Sequence, residues 1–201
     1  MSFKKQDDEE VKHLLELPSQ FESDRLLIKK FNREDGKGLL SLLNRNNNRE
    51  FLRDSVDEAT EVHSLEDAEK HLQSLSADFD SRKRFVMGIW LKETMIFIGN
   101  IWIEPKNWSV PSFEIGYYLD QGYTKKGIAT EAVKRSITYI FEELRAHKII
   151  IITRDYNDRS YKLAERLNFT KEGHFRECNI DGERRFGLLH YGLLKSEYDV
   201  S

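Results

Sequence analysis

One stretch restricts the architecture more than any other: "SFEIGYYL" (112–119), then "TKKGIATEAVKRSITYIFEEL" (124–144), then "HKIIIIT" (147–153). The first and last are apolar runs of strand length. Between them Ala129, Ala132, Val133, Ser136, Ile137, Ile140, Phe141 and Leu144 recur at helical spacing and trace one face. Strand, amphipathic helix and strand in succession must bury the helix against a sheet, so a mixed α/β fold is expected. The unbroken apolar run at 147–153 predicts a strand covered on both faces.

The flanking sequence fits this class. "RLLIKKF" (25–31) reads as a strand, and "RFVMGIWL" (84–91) with "MIFIGNIWI" (95–103), separated by "KET", reads as an antiparallel hairpin. Asn32 with Asp35 predicts a helix start before Leu39, Leu40, Leu42 and Leu43, although Gly36 and Gly38 weaken the first turn. Ser64 with Asp67 opens a helix over 64–83 whose stripe is Ala68, Leu72, Leu75 and Phe79. Residues 44–60 between these helices read as irregular, and Pro105, Trp108 and Pro111 as a loop before 112. "NDRSYKLAERLNF" (157–169) predicts a short helix ending near Asn168, and 171–194 a hairpin turning at Asp181-Gly182. Residues 1–23 are charge-rich, with Val11, Leu14 and Leu15 at helical spacing, and read as a helical or mobile extension. The expected organisation is that extension, one domain over 24–194, and a tail over 195–201.

Composition excludes several classes of function. With 201 residues, 33% charged and a net charge of −3, no global field draws the chain to nucleic acid or an anionic membrane. Any basic site must be local. No run approaches the ~20 apolar residues of a membrane span, and the start lacks the apolar core of a signal peptide. Cys178 is the sole cysteine, which rules out an intramolecular disulfide and points to a reducing, cytoplasmic setting. The six histidines include no i, i+4 helical pair and have no cysteine partners, so no metal is expected. Monomer and homodimer are both compatible with the sequence.

Lys125, Lys126 and Gly127 stand directly before the patterned helix. A strand, a loop, a glycine and a helix N-terminus together make a recipe for binding phosphate, because the first helical amides have no intrahelical acceptor and the helix dipole is positive there. The order of residues is neither a Walker loop nor Gly-x-Gly-x-x-Gly. On spacing alone, a charged turn entering an amphipathic helix explains the segment equally well.

Several motifs in order go further. "FEIGYYLDQGYTKKGIATEAVKRSITYIFEEL" followed by "IIIITRDYNDRSYKLAERLNFTKEGHFRE" resembles the GNAT (Gcn5-related N-acetyltransferase) superfamily, and within it the RimJ/RimL type that acetylates ribosomal-protein N-termini. "SDRLLIKKFNREDGKGLLSLL" looks like that group's opening strand and helix, and "FIGNIWIE" like its third strand, so the likeness spans about 24–194. It implies an α/β N-acetyltransferase domain with a central twisted, mostly antiparallel sheet, splayed at the cofactor site, and helices on both faces. Acetyl-CoA would be the cofactor and CoA the product. The family's pyrophosphate signature, Gln/Arg-x-x-Gly-x-Gly/Ala, falls on Thr124, Lys125, Lys126, Gly127, Ile128 and Ala129, with Thr130 following. Thr124 departs from it. The likeness also implies that strands 113–119 and 148–153 splay, with the pantetheine arm against the freed edge at Tyr118 and Leu119; Gly116 suits a close backbone approach.

The chemistry narrows the remaining roles. Acetyl transfer from a thioester needs a neutral amine, and an α-amine with pKa about 8 needs far less help than a lysine near 10.4. Where many family members place an acidic tyrosine, this chain has Ala164. The RimL-like pattern Asn-x-x-Ser falls on Asn157 and Ser160 and implies Ser160 as donor to the CoA sulfur and Asn157 near the pantetheine, while Asn157 is equally a natural N-cap. Tyr161 should point about 100° away. Glu114 and Glu177 are the alternative general bases, each of which also reads as a half-exposed strand carboxylate paired with a neighbouring cation. Phe51, Trp102, Trp108 and Tyr191 are candidates for the acceptor wall, although strand aromatics also serve as core. The acceptor is expected to be a protein N-terminus. Alternatives are a small amine (polyamine, amino acid or aminoglycoside) or no acceptor at all, in an acyl-CoA sensor that has lost the transfer chemistry.

Overall fold

The computed structural model describes residues 17–53 and 60–198. Eight strands alternate with helices in the order β1 (Gln20–Glu22), β2 (Leu26–Lys30), α1 (Gly36–Asn44), α2 (Asn48–Leu52), α3 (Leu65–Asp80), β3 (Phe85–Leu91), β4 (Phe97–Asn107), β5 (Ser112–Leu119), α4 (Ile128–Glu142), β6 (Lys148–Arg154), α5 (Asp158–Arg166), β7 (Thr170–Asp181), β8 (Arg184–Leu194) and α6 (Lys195–Tyr198). They form an open mixed sheet of order β1-β2-β3-β4-β5-β6-β8-β7. The mixed α/β expectation holds. Contacts group the described chain into two compact units, 17–104 with 117–136 and 105–116 with 137–198.

In the first unit β1 to β3 are antiparallel, with β3 paired to β2 on one side and β4 on the other. β3 is buried at six of its seven positions, so both its faces are covered. Val86 and Trp90 join Phe97 of β4 and Tyr118 of β5 in a core cluster with Leu39, Leu42 and Leu43 of α1, Leu52 of α2, and Leu72 and Leu75 of α3. Both N-caps read from the sequence form as capping boxes: Asn32 with Asp35, and Ser64 with Asp67. Gly36 and Gly38, expected to weaken the first turn, lie inside the first turn of the α-helix. The turn before it is 3₁₀ (Arg33–Asp35), and the α-helix begins only at Gly36.

Other expectations need correction. The extension over 1–23 is a strand at Gln20–Glu22, paired with β2 and anchored by buried Phe21 under the Arg135 guanidinium; residues 1–16 lie outside those described. The irregular segment 44–60 contains the one-turn helix α2, tied by Asn48, whose side chain donates to Leu42 O and accepts from Gln121 N; residues 54–59 are not described. β4 runs on through Pro105 to Asn107. Pro105 lies past the last β3–β4 pair, Phe85↔Ile103, so its missing N–H breaks no bond of that ladder. In the second unit β6 is not covered on both faces, because buried and half-buried residues alternate along it.

The second unit also terminates α5 in the manner expected. Asn168 adopts φ 63°, its amide bonds back to Glu165 O, and Phe169 N bonds to Ala164 O, a Schellman ending. The β7–β8 hairpin turns one residue later than expected: Asp181 pairs with Arg184, so the two-residue loop is Gly182-Glu183, with Gly182 at φ 56°. A glycine at the first loop position suits the twist of a two-residue hairpin. The tail contributes α6, whose Tyr198 stacks on Phe141 at 5.0 Å and hydrogen-bonds Thr138.

Candidate active site

The amides of Lys125 through Thr130 find no protein acceptor among the described residues, and the first to bond back is Glu131 N, to Gly127 O at 3.0 Å. Lys125 (φ 61°) and Gly127 (φ 75°) both lie in the left-handed region, which turns successive N–H groups toward a common side. A side chain added at Gly127 would meet only Arg25 Nη2, at 3.7 Å, so the approach to the loop is open. The two lysines differ. Lys126 Nζ folds back onto Gly122 O at 2.9 Å and over the Tyr123 ring, whereas the Lys125 ammonium has no partner among the described residues. Thr124 Oγ1 donates to Gln121 O at 2.9 Å and so closes the preceding 3₁₀ turn (Gln121–Tyr123).

Two carboxylates hold this loop, and neither is singled out by the sequence. Glu131, in the first turn of α4, accepts from Ser23 Oγ (2.7 Å), Arg25 N (2.9 Å) and Arg25 Nε (2.6 Å), while Arg25 Nη1 donates to Lys126 O at 3.2 Å. Asp120, with no exposed side-chain surface, accepts from Arg45 Nε at 2.5 Å, Asn46 Nδ2 at 2.9 Å and Gly122 N at 2.9 Å. Burial alone would raise both carboxyls. The hydrogen bonds outweigh it and hold both below the usual carboxylate range. A lone acid closing an apolar strand before Gln-Gly was the available signal for Asp120, but its partners come from a helix end some 75 residues away.

At the N-terminus of α5, Asn157 Oδ1 accepts from Ser160 N at 3.2 Å, so Asn157 does cap the helix. The Ser160 hydroxyl is half-buried and has no protein partner among the described residues. Ala164 is fully buried inside this unit. Asp155, just before the helix, accepts from Gly187 N at 3.0 Å and pairs with His174 Nε2 at 3.1 Å. Only a glycine at 187 leaves room for that pair: an added Cβ would lie 2.6 Å from both Asp155 Oδ2 and His174 Nε2. The His174 hydrogen bond holds the Asp155 carboxyl below its ordinary value. Sequence reasoning passed over this pair because Asp155 follows β6 and His174 lies on β7, 19 residues on.

β5 and β6 pair in parallel at Ser112↔Lys148, Phe113↔Ile149 and Glu114↔Ile150, and no pair follows although both strands continue. Beyond Glu114 the β5 edge facing β6 is therefore without a ladder partner. Leu119 lies on that stretch with a buried side chain, so what it can offer there is backbone, whereas the Tyr118 carbonyl is turned to Gly99 of β4. Glu114 sits 2.8 Å from Lys106 Nζ. Glu177 is an exposed residue at φ 48° within the irregular stretch of β7, 3.9 Å from Arg185. The four aromatics separate. Phe51 and Trp102 are half-buried at the margin of the first unit's core, and Trp108 is half-buried edge-on to Phe113. Tyr191 is 2% exposed, and its hydroxyl donates to Glu165 at 3.0 Å; burial first and that bond second push it up to about 12. Tyr191 is packed in the core, on the same strand face as buried Leu189 and Leu193.

Among the described residues no group of three or more His, Cys, Asp or Glu side chains is placed to hold a metal ion. No helix among the described residues is long and apolar enough to cross a membrane.

Comparison with known proteins identifies the family. The chain is 26% identical over 175 residues to the uncharacterized N-acetyltransferase YnaD of Bacillus subtilis (strain 168), covering 87% of this chain and 96% of that one. A shorter match, 34% over 76 residues (37% of this chain, 39% of the other), is to the [ribosomal protein uS5]-alanine N-acetyltransferase of Escherichia coli (strain K12). The fold matches RimL, a ribosomal L7/L12 alpha-N-protein acetyltransferase solved in complex with coenzyme A, with a TM-score of 0.76 and 20% identity over 90% of this chain and 98% of that one. The acetyltransferase (GNAT) domain model matches residues 25–170, and the chain belongs to the GNAT acetyltransferase family, an acyltransferase family whose cofactor is acetyl-CoA.

Proposed function

We propose that this chain moves the acetyl group of acetyl-CoA to the α-amine of a protein N-terminus. The observation that carries the cofactor half of this reading is the run of free amides from Lys125 to Thr130 at the start of α4. A pyrophosphate brings several acceptor oxygens and negative charge, which is what such a run and the helix dipole favour. Thr124 holds the loop's shape, Lys125 adds attraction from a distance, and Ile128 and Ala129 contribute backbone.

Bound acetyl-CoA supplies an acyl thioester: the new bond joins the acetyl carbon to the amine nitrogen, and the bond to sulfur breaks. The chain's part is to place the reactants and to manage two protons. Ser160, with its unpartnered hydroxyl, is the proposed donor toward the departing sulfur, and Asn157 both caps α5 and offers its amide to the pantetheine. An α-amine needs only a weak base, so Glu114 acting through water suffices once it shares its pairing with Lys106. Glu177 is the lesser candidate, since its exposed position is already fully hydrated. The short likeness to a ribosomal-protein alanine N-acetyltransferase favours a protein N-terminus as acceptor. The single, exposed Cys178 suits a reducing, cytoplasmic setting.

The test pairs binding with turnover. Titration calorimetry with acetyl-CoA is expected to show binding to the native chain and at least a hundredfold loss in Gly127→Glu, with melting curves checking that the variant is folded. Thiol release is then followed with N-terminal peptides, spermidine and an aminoglycoside. Peptide turnover is the expected result. Turnover of spermidine alone replaces the proposal with a small-amine enzyme, and binding without any turnover replaces it with a sensor.

A further inference from the structure

Among the described residues one buried side-chain N or O atom has no hydrogen-bond partner: Oδ1 of Asn100, on β4, in a residue 7% exposed. The rest of the amide has no partner among the described residues either. Native interiors rarely leave such a group unpaired, and each instance calls for a specific explanation.

The surroundings of Asn100 narrow that purpose. It stands opposite Gly88 in the β3–β4 register, and the Trp90 and Phe31 rings lie over Gly88 where a side chain would otherwise be. On the other side Asp120 N bonds Ile98 O, and Gly99 lies against Leu119, so the antiparallel count brings Asn100 level with Tyr118. The Tyr118 side chain is buried, while its hydroxyl is not fully enclosed and has no hydrogen-bond partner among the described residues. Two residues along β4, on the same face, is half-buried Trp102, which with Phe51 of α2 packs at the margin of the same cluster. Every member of that cluster is uncharged. The charges that reach its margin are cations: Arg45 Nη2 donates to Phe97 O at 2.5 Å, Arg49 Nη2 donates to Val62 O at 2.8 Å, and Lys29, paired with Asp35 at 2.9 Å, lies 4.2 Å from the centre of the Trp90 ring.

We infer that Asn100 and Tyr118 form the polar floor of the acceptor subsite, walled by Trp102 and Phe51, and that this floor selects a single neutral amine followed by a peptide group over a polycation. The inference rests on the acetyl-transfer reading above. A carboxamide both accepts from an amine and donates to a carbonyl, and half a turn about χ2 exchanges the two ends. A phenol likewise does both. Neither compensates the desolvation of a second or third ammonium, which a polyamine would have to bring with it.

The test uses the full chain with an N-terminal tetrapeptide, spermidine and acetyl-CoA. Asn100→Leu removes the amide at nearly constant volume. It is expected to leave the melting temperature unchanged or raised and the acetyl-CoA Kd within twofold, while the peptide KM rises at least tenfold with little change in kcat. Tyr118→Phe, which deletes one hydroxyl, is expected to raise the same KM and serves if the first variant does not fold. Unchanged KM in both variants, with a native chain that acetylates peptides, overturns this inference alone. A native chain that binds acetyl-CoA and acetylates no amine overturns the acetyl-transfer reading and this one with it. Preference for spermidine over the peptide overturns the selectivity argued here.

Discussion

Asn157 and Ser160 show how two readings of one motif separate at atomic scale. The cap uses Asn157 Oδ1 and the Ser160 amide, not the Ser160 hydroxyl. Ser160→Ala therefore deletes an atom without a structural partner, and serine and alanine differ by only a few tenths of a kcal/mol inside a helix. The expected outcome is a turnover rate lowered tenfold or more, with acetyl-CoA affinity and melting temperature within error of the native chain. A drop in melting temperature with unchanged turnover would falsify the catalytic role. Much at this scale was legible in the sequence, because a glycine before a helix and an Asn-x-x-Ser motif are local patterns. What was not legible is who else holds the loop. Asp120 and Glu131 act through Arg45 and Arg25, whose proximity only the folded chain creates.

The same division holds for whole elements. Capping boxes were readable because their partners lie three residues apart, and the stripe of α3 was readable because helical periodicity is local. The irregular stretch of β7, the extension of β4 through Pro105 and the half-covered face of β6 depend on neighbours distant in sequence, so no local pattern announced them. α3 allows a quantitative check. Ser64 Oγ accepts from Asp67 N at 3.1 Å while Asp67 returns a bond to Ser64 N, also at 3.1 Å. Ser64→Ala removes the first bond and leaves an N-terminal amide without its cap, which costs about 1 kcal/mol. For a chain of this size the melting temperature should fall by roughly 2–4 °C. Thermal unfolding followed by circular dichroism measures it. No shift would mean that fraying at this end is already complete in the native state.

Across the whole molecule the balance of charge is nearly even, so its response to acid is decided by a few carboxylates rather than by net charge. Asp78, Asp120 and Glu131 are each opposed by burial, and each is held below its ordinary value by stronger hydrogen bonds to neighbours such as Arg84, Asn46 with Arg45, and Ser23 with Arg25. For a carboxyl whose folded pKa is depressed, the folded state binds fewer protons than the unfolded one. Its stabilising contribution is complete above the unfolded value of about 4 and is lost as pH falls through the folded value. Urea midpoints should therefore be level between pH 7 and pH 5 and decline below about pH 4. Asp120 is the decisive residue, since it is the only one of the three with no exposed side-chain surface. Arg45→Ala leaves that carboxylate buried without its cation, a change of about 3–5 kcal/mol, and should lower the midpoint already at pH 7. Asp120→Asn removes the titrating group itself, so its midpoint at pH 7 is lowered but its decline between pH 4 and pH 3 is shallower than the native one. An acid limb as steep in Asp120→Asn as in the native chain would assign the sensitivity to Asp78 and Glu131 instead, and with it the stability of the loop that opens α4.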